Sequence, residues 1–189
     1  MTSCRTLAPA RRWAGDDFTS VAAMVDARVR PARARDAAAI AQVRFESWQA
    51  AYGELIAPAA FARFDRAAGA ARWTERLATG AVRSYVADID GTVVGFANYG
   101  PCRDDDLREA GELYAIYVRP EHWSAGIGRA LLSAAVGSLS ARPAVLWVLR
   151  DNRRARRFYE LAGWSADGAA KNAELLGGLT LPEVRYRLD

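Results

Sequence analysis

Apolar and polar positions alternate clearly in RSYVADIDGTVVGFANYG: Tyr85, Ala87 and Ile89 occupy every second position, Asp90-Gly91 interrupts them, and Val93 to Tyr99 return. Alternation around an Asp-Gly pair predicts a β-hairpin. Further along, Glu112 to Val118 is a largely apolar strand, followed by a glycine-bearing turn. Ala130, Leu131, Leu132, Ala134, Ala135 and Leu139 then continue at helical spacing, so a helix is expected from near Gly126. Val145, Trp147 and Leu149 alternate with Leu146 and Val148 in a run apolar on both faces, which predicts a strand inside a sheet. A short helix follows, capped by Asp151 or Asn152 and stopped by Gly163. Before the hairpin, Val29 begins a short strand, Arg35-Asp36 caps a helix running to about Tyr52, and Pro58 opens a helical region reaching Thr79. Arg103 to Ala110 reads as a charged loop, Leu175 to Leu179 as a loop or edge segment, and Val184 to Leu188 as a last strand. The order is mixed α/β, with no internal repeat.

The turn after the Glu112 strand carries chemistry of its own. A helix N-terminus leaves about four backbone N–H groups unpaired and holds roughly half a positive charge, so an anion placed there meets several donors at once. Gly126 and Gly128 lack a Cβ, which lets the backbone approach a bulky diphosphate closely. The alternative is an ordinary strand-turn-helix in which the glycines only shape the turn.

Two segments together resemble the GNAT superfamily of acyl-CoA-dependent N-acetyltransferases. Trp123, Ser124, Ala125, Gly126, Ile127 and Gly128 fill its Q/RxxGxG turn, with Trp123 standing where the motif has Gln or Arg; Asn152, Ala155, Phe158, Tyr159, Glu160, Gly163 and Trp164 fill its later helix pattern. VRPARARDAAAIAQV and RFESWQAAYGELI resemble the family's first strand and first helix, so the likeness runs from about Ala27 to Asp189. It implies an α/β (α+β) fold whose central sheet is mixed, mostly antiparallel and twisted, with six to seven strands and about four flanking helices. It also implies acetyl-CoA as cosubstrate, with Ser124 to Arg129 on the diphosphate, Ile116, Tyr117 and Val118 along the pantetheine arm, and Asn152 on that arm or on local backbone. Arg129, Arg150, Arg153, Arg154, Arg156 and Arg157 lie close to the expected phosphate turns and are candidates for the 3′-phosphate of CoA, with an ordinary solvated arginine surface as the alternative.

The resemblance further implies transfer to a primary amine of a small molecule, peptide or protein N-terminus by direct attack in a ternary complex. An alkylammonium has a pKa of about 10, so a base must free the amine. Glu112, at the start of the central strand, is the candidate, directly or through water; the alternative is a strand-end glutamate paired with an arginine. Tyr159 matches the tyrosine that faces the CoA sulfur, and otherwise it is a tyrosine packed on the sheet. Trp48 and Tyr52 share a helix face beside the expected acceptor pocket, or else belong to the core. Asp104, Asp105, Asp106 and Glu109 offer either an attraction for a cationic amine or a solvated charge run.

Composition narrows the alternatives. The 189 residues suit one domain, residues 27–189, preceded by a weakly patterned extension, residues 1–26. No apolar run approaches the ~20 residues of a membrane span. Cys4 and Cys102 are too few and too far apart for a disulfide framework or a zinc site, so no metal and a reducing cytoplasm are expected. The net charge of +4 comes from arginine almost alone, Lys171 being the single lysine. An arginine-rich nucleic-acid-binding domain would need an extended basic face with exposed aromatics, and no such stretch is present. A non-catalytic acyl-CoA-binding module would need the glycine turn but neither Glu112 nor Tyr159. Members of the family often dimerise, so a homodimer is an expectation.

Overall fold

Strand-forming segments interspersed with helices leave one economical arrangement, a sheet with helices on each face. A computed structural model describes residues 26–53, 61, 65–139, 143–174 and 180–189. The expected extension before residue 26, the start of the second helical region at Pro58, and Leu175 to Leu179 fall outside these described residues. In chain order the elements are β1 (Arg28–Pro31), α1 (Ala37–Tyr52), α2 (Arg66–Ala78), β2 (Arg83–Ile89), β3 (Thr92–Pro101), β4 (Gly111–Val118), α3 (Ile127–Gly137), β5 (Ala144–Leu149), α4 (Arg153–Leu161), β6 (Ser165–Glu174) and β7 (Thr180–Leu188). The sheet order is β1-β2-β3-β4-β5-β7-β6. Among the described strands, only the β4–β5 pair is parallel. Among the described residues, this is the seven-stranded mixed sheet with four helices that the motifs implied.

Each face of the sheet has its own core. Ile40 and Val43 of α1 and Trp73 of α2 pack on Val86 and Phe96. On the other side Leu131 and Leu132 of α3 and Tyr159 of α4 pack on Ala97, Leu113, Leu146 and Tyr186. Helix starts follow local chemistry: the Asp65 carboxylate accepts from the Ala68 N–H at 2.9 Å, and Asn152 accepts from the Ala155 N–H at 3.0 Å.

One strand was not foreseen. The β6 segment SADGAAKNAE has no apolar alternation and is mostly exposed, so its pattern gives no strand signal. It is a strand because β7 offers an open edge, along which Ser165 pairs with Arg187 and Glu174 with Thr180. The pairing is interrupted between Ala166 and Ala170, where Gly168 takes φ +92°.

Two irregularities in β4 shape the site. Asn98 of β3 faces Ala115 while Tyr99 faces Leu113, so Tyr114 is an extra, bulged residue. On the other edge, β4 pairs with β5 only from Gly111–Ala144 to Leu113–Leu146. From the bulge onward the two parallel strands diverge.

The charge run before β4 is structural. Arg185 of β7 reaches Asp104 at 3.1 Å, Asp106 at 2.7 Å and Asp167 at 2.7 Å, and the Trp147 indole N–H donates to Asp104 at 2.9 Å. Asp105 pairs with Arg108. Asp104 and Asp106 are therefore tied to β5, β6 and β7 through Trp147, Lys171 and Arg185.

At the opposite edge, Arg30 binds Asp36 in a two-pronged ion pair at 2.8 and 2.9 Å and touches Asp88 at 3.2 Å. Asp36 also accepts from the Arg33 N–H at 2.8 Å. The Arg30 guanidinium holds the Asp36 carboxyl below its ordinary value of 3.8. A lowered carboxyl pKa stabilises the fold above the unfolded-state value and loses that contribution as pH falls through the folded-state value. Urea titrations should show stability declining below about pH 4, with Asp36→Asn flattening the decline and costing about 2 kcal/mol at pH 7.

Candidate active site

Where β4 and β5 part, a cleft of about 430 Å³ opens. Its floor is Ile116, Tyr117 and Val118 of β4. One wall is the turn from His122 to Arg129; the other is the face of α4 that carries Arg154, Ala155, Arg157, Phe158 and Leu161. Ser47, Ala51 and Tyr52 of α1 close one end, beside Asn152 and Tyr159.

The turn brings two left-handed residues ahead of a helix start. A 3₁₀ turn over Pro120–His122 leads to Ser124 at φ +65° and Gly126 at φ +82°, and Gly126 is the N-cap of α3. Only glycine takes this left-handed conformation without steric cost. The amides of Ile127 and Gly128 precede the first bond of the helix, donated by the Ala130 N–H to the Gly126 carbonyl at 3.1 Å. The Ile127 side chain is 2% exposed and anchors this turn in the core, and Ala125 also packs against that core. Their side chains are thus structural, and what they present to the cleft is backbone. A Cβ on Gly128 would lie 3.6 Å from the Phe158 ring, an ordinary contact, so packing alone does not demand glycine there.

Trp123 does not project as a Gln or Arg would. Its indole N–H donates to the Val118 carbonyl at 2.7 Å, and the Arg154 guanidinium lies over its ring, 3.7 Å from the centroid. The Val118 carbonyl also accepts from Ser47 Oγ at 3.0 Å.

Three tyrosines converge at the α1 end. The Trp48 indole N–H donates to the Tyr117 hydroxyl, and the Asn152 amide donates to the Tyr52 hydroxyl, each at 2.9 Å. Asn152 thus serves the local backbone and Tyr52 together. The Tyr159 hydroxyl makes no hydrogen bond with any described residue, although its ring is 7% exposed and packs on Phe158 and Trp164. Burial and the neighbouring Tyr117 and Tyr52 push its pKa far up, so it keeps its proton. Burial pushes the Tyr52 phenol up to about 12.

Some expected site residues lie elsewhere. Trp48 is 6% exposed and buttresses Tyr117 and Tyr52, the core reading for this aromatic, while Tyr52 lines the cleft. Arg156 is turned away by helical phase: it donates to the Tyr186 hydroxyl at 3.0 Å and to the Arg150 carbonyl at 3.2 Å. Arg154 and Arg157 occupy the wall instead. Glu112 is 1% exposed and does not line the cleft. The backbone N–H of Arg103 donates to one of its oxygens at 2.9 Å, and the Arg103 guanidinium bonds both, which is the geometry of a paired strand-end glutamate.

Glu183 gave no sequence signal. The β5–β7 and β6–β7 registers set it opposite Leu149 and Lys171. Its carboxylate makes no hydrogen bond or ion pair with a described residue, because Lys171 is drawn 3.8 Å over Trp147 and towards Asp104. Burial raises its pKa, Lys171 and Arg103 oppose that, and Glu112 adds to it. Its charge in turn raises the Tyr52 and Tyr117 phenols, so it acts on the cleft from a distance, although like Glu112 it is not among the residues that line it.

This geometry has counterparts among known proteins. Residues 39–164 match the model of the acetyltransferase (GNAT) family. An uncharacterised N-acetyltransferase of Bacillus subtilis is 32% identical over 160 residues, covering 82% of this chain and 89% of its own length. A GNAT-family acetyltransferase structure from Desulfovibrio desulfuricans superposes with a TM-score of 0.63 at 26% identity, covering 86% of this chain and 99% of that one. An acetyltransferase from Salmonella typhimurium, solved with its cofactor acetyl-CoA, shares the fold with a TM-score of 0.62 at 23% identity, over 86% of this chain and 93% of its own. With a diverging β4–β5 pair, a left-handed glycine cap and a family match across both, the chain belongs to the acetyltransferase (GNAT) family and is an N-acetyltransferase.

Proposed function

We propose that the protein transfers an acetyl group from acetyl-CoA to a primary amine that arrives as a cation, by direct attack with both substrates bound. The observation that carries this reading is the composition of one cleft: unbonded helix amides at Ile127 and Gly128 on one wall, and a protonated, unbonded phenol at Tyr159 by the other. The solved Salmonella neighbour, which holds acetyl-CoA on the same fold, supports the choice of donor.

In this reading the diphosphate rests on the amides of residues 124–129, and the pantetheine arm lies along the β4 edge that β5 leaves unpaired, as an added strand would. The amine nitrogen attacks the thioester carbonyl carbon, and the C–S bond breaks as the tetrahedral intermediate collapses. Tyr159 donates a hydrogen bond or its proton to the departing sulfur and regains a proton from the former ammonium nitrogen. One ammonium proton leaves to a carboxylate or to water before attack, and the proton that restores Tyr159 leaves the nitrogen after the new bond has formed. Orientation of the two substrates supplies much of the rate, so no covalent enzyme intermediate is required.

Glu183 is the carboxylate we assign to attracting the ammonium towards the cleft, since no described residue bonds its oxygens and its charge reaches Tyr52 and Tyr117. Glu112, held at both oxygens by Arg103, is assigned to fixing the segment before β4.

Release of free thiol across a panel of polyamines, amino acids, aminoglycosides and peptides with free N-termini tests the activity. No thiol from any amine, in a protein that also ignores acetyl-CoA in calorimetry, would overturn the assignment. With a competent amine in hand, Tyr159→Phe should lower kcat by about 100-fold while leaving acetyl-CoA affinity nearly intact. Glu183→Gln should raise the KM for the amine about tenfold, with the KM for acetyl-CoA unchanged. Gly126→Ala meets open space but a forbidden φ, so it should cost about 1–2 kcal/mol in thermal unfolding as well as weakening CoA binding. Gly128→Ala should weaken CoA binding with little change in stability.

A further inference from the structure

The Q/RxxGxG turn lacks its basic side chain here, because Trp123 occupies that position. The indole is committed to the sheet through its bond to the Val118 carbonyl. Yet the space above Trp123 is filled by a cation from another element: Arg154, in the first turn of α4, sits 3.7 Å over the ring. Arg154 lines the cleft together with Gly126 and Gly128, and Phe158 of the same helix packs against the turn.

Arg154 has no counter-ion among the described residues. It makes no hydrogen bond and no ion pair with a described residue, and burial alone weakens its hold on the proton. Other arginines of the fold that pay such a cost are compensated: Arg30 by Asp36 and Asp88, Arg185 by three aspartates, and Arg103 by Glu112. A guanidinium stacked on an indole keeps its edge N–H donors free in the plane, the arrangement that grips a phosphate with two parallel bonds. An uncompensated cation fixed on a rigid platform, opposite unbonded helix amides, is a site awaiting an anion.

We infer that Arg154, held on the face of Trp123, replaces the missing motif side chain and clamps the diphosphate of CoA against the amides of the 124–129 turn. The inference rests on the acetyl-CoA reading above and assigns the counter-charge of that site to α4. Trp123 is the positioning residue for Arg154.

Calorimetry with CoA and with dephospho-CoA, which keeps the diphosphate but lacks the 3′-phosphate, tests it. Arg154→Gln should weaken both ligands by the same factor, about 10- to 100-fold. Arg154→Lys keeps the charge but loses the flat stack and should recover only part of the affinity. The double variant W123R/R154Q, which restores the basic side chain to the turn, should bind CoA at least tenfold more tightly than R154Q alone. Thermal unfolding checks that each variant is folded. Unchanged CoA affinity in folded R154Q, or a loss for CoA that disappears with dephospho-CoA, overturns the clamp while leaving the acetyl-CoA reading intact. Failure of the unaltered protein to bind either ligand overturns that reading itself.

Discussion

The structure turns on a sheet that stops being a sheet. The parallel strands β4 and β5 share only the first three pairs of residues, and the bulge at Tyr114 re-aims β4 where pairing ends. Unpaired backbone groups inside a protein are costly, so a separation of this kind persists only where other bonds hold it. Ser47 and Trp123 bond the Val118 carbonyl at the far end of β4, while Asn152, just past the end of β5, caps α4 and holds Tyr52. The remaining free edge is what an amide-bearing chain can complete, and the cleft exists because the ladder is interrupted there.

Around that interruption the fold sorts its charges into two kinds. Most arginines whose partners are visible are spent on architecture: Arg30 stitches β1 to the start of α1, and Arg185 ties the acidic loop to β6 and β7. Arg103 closes on Glu112. The arginines on the cleft face of α4 are of the other kind, placed beside helix amides and glycines. A net charge of +4 therefore says little about ligands. Arg154, which no described residue compensates in a concave site, says more.

Much of the site was legible because its chemistry is local. A glycine at a left-handed helix cap, a helix start after an apolar strand, and Asn152 capping the helix that carries Tyr159 are each encoded within a few residues. Their types and spacing fix the backbone whatever surrounds them. What a sequence pattern leaves open is orientation. Arg154 and Arg156 are alike in a string of arginines, but about 200° of helical rotation separates them, sending one to the cleft and the other to Tyr186. Trp48 and Tyr52 share a helix face, and only packing decided that one buttresses and the other lines.

By itself the sequence determined the alternation that makes the hairpin, the two strand-turn-helix units, and hence the family and the general location of the cleft. Tertiary structure alone decided that SADGAAKNAE is a strand, since its pairing energy comes from the β7 edge and not from its own pattern. It also decided that Asp104 and Asp106 serve Arg185, nearly eighty residues or more away, and that the Glu183 carboxylate meets no partner among the described residues. The physical reason is range. Propensity and capping act over one or two turns of chain, whereas a charge finds its partner only after strand register has brought distant segments within a few ångströms.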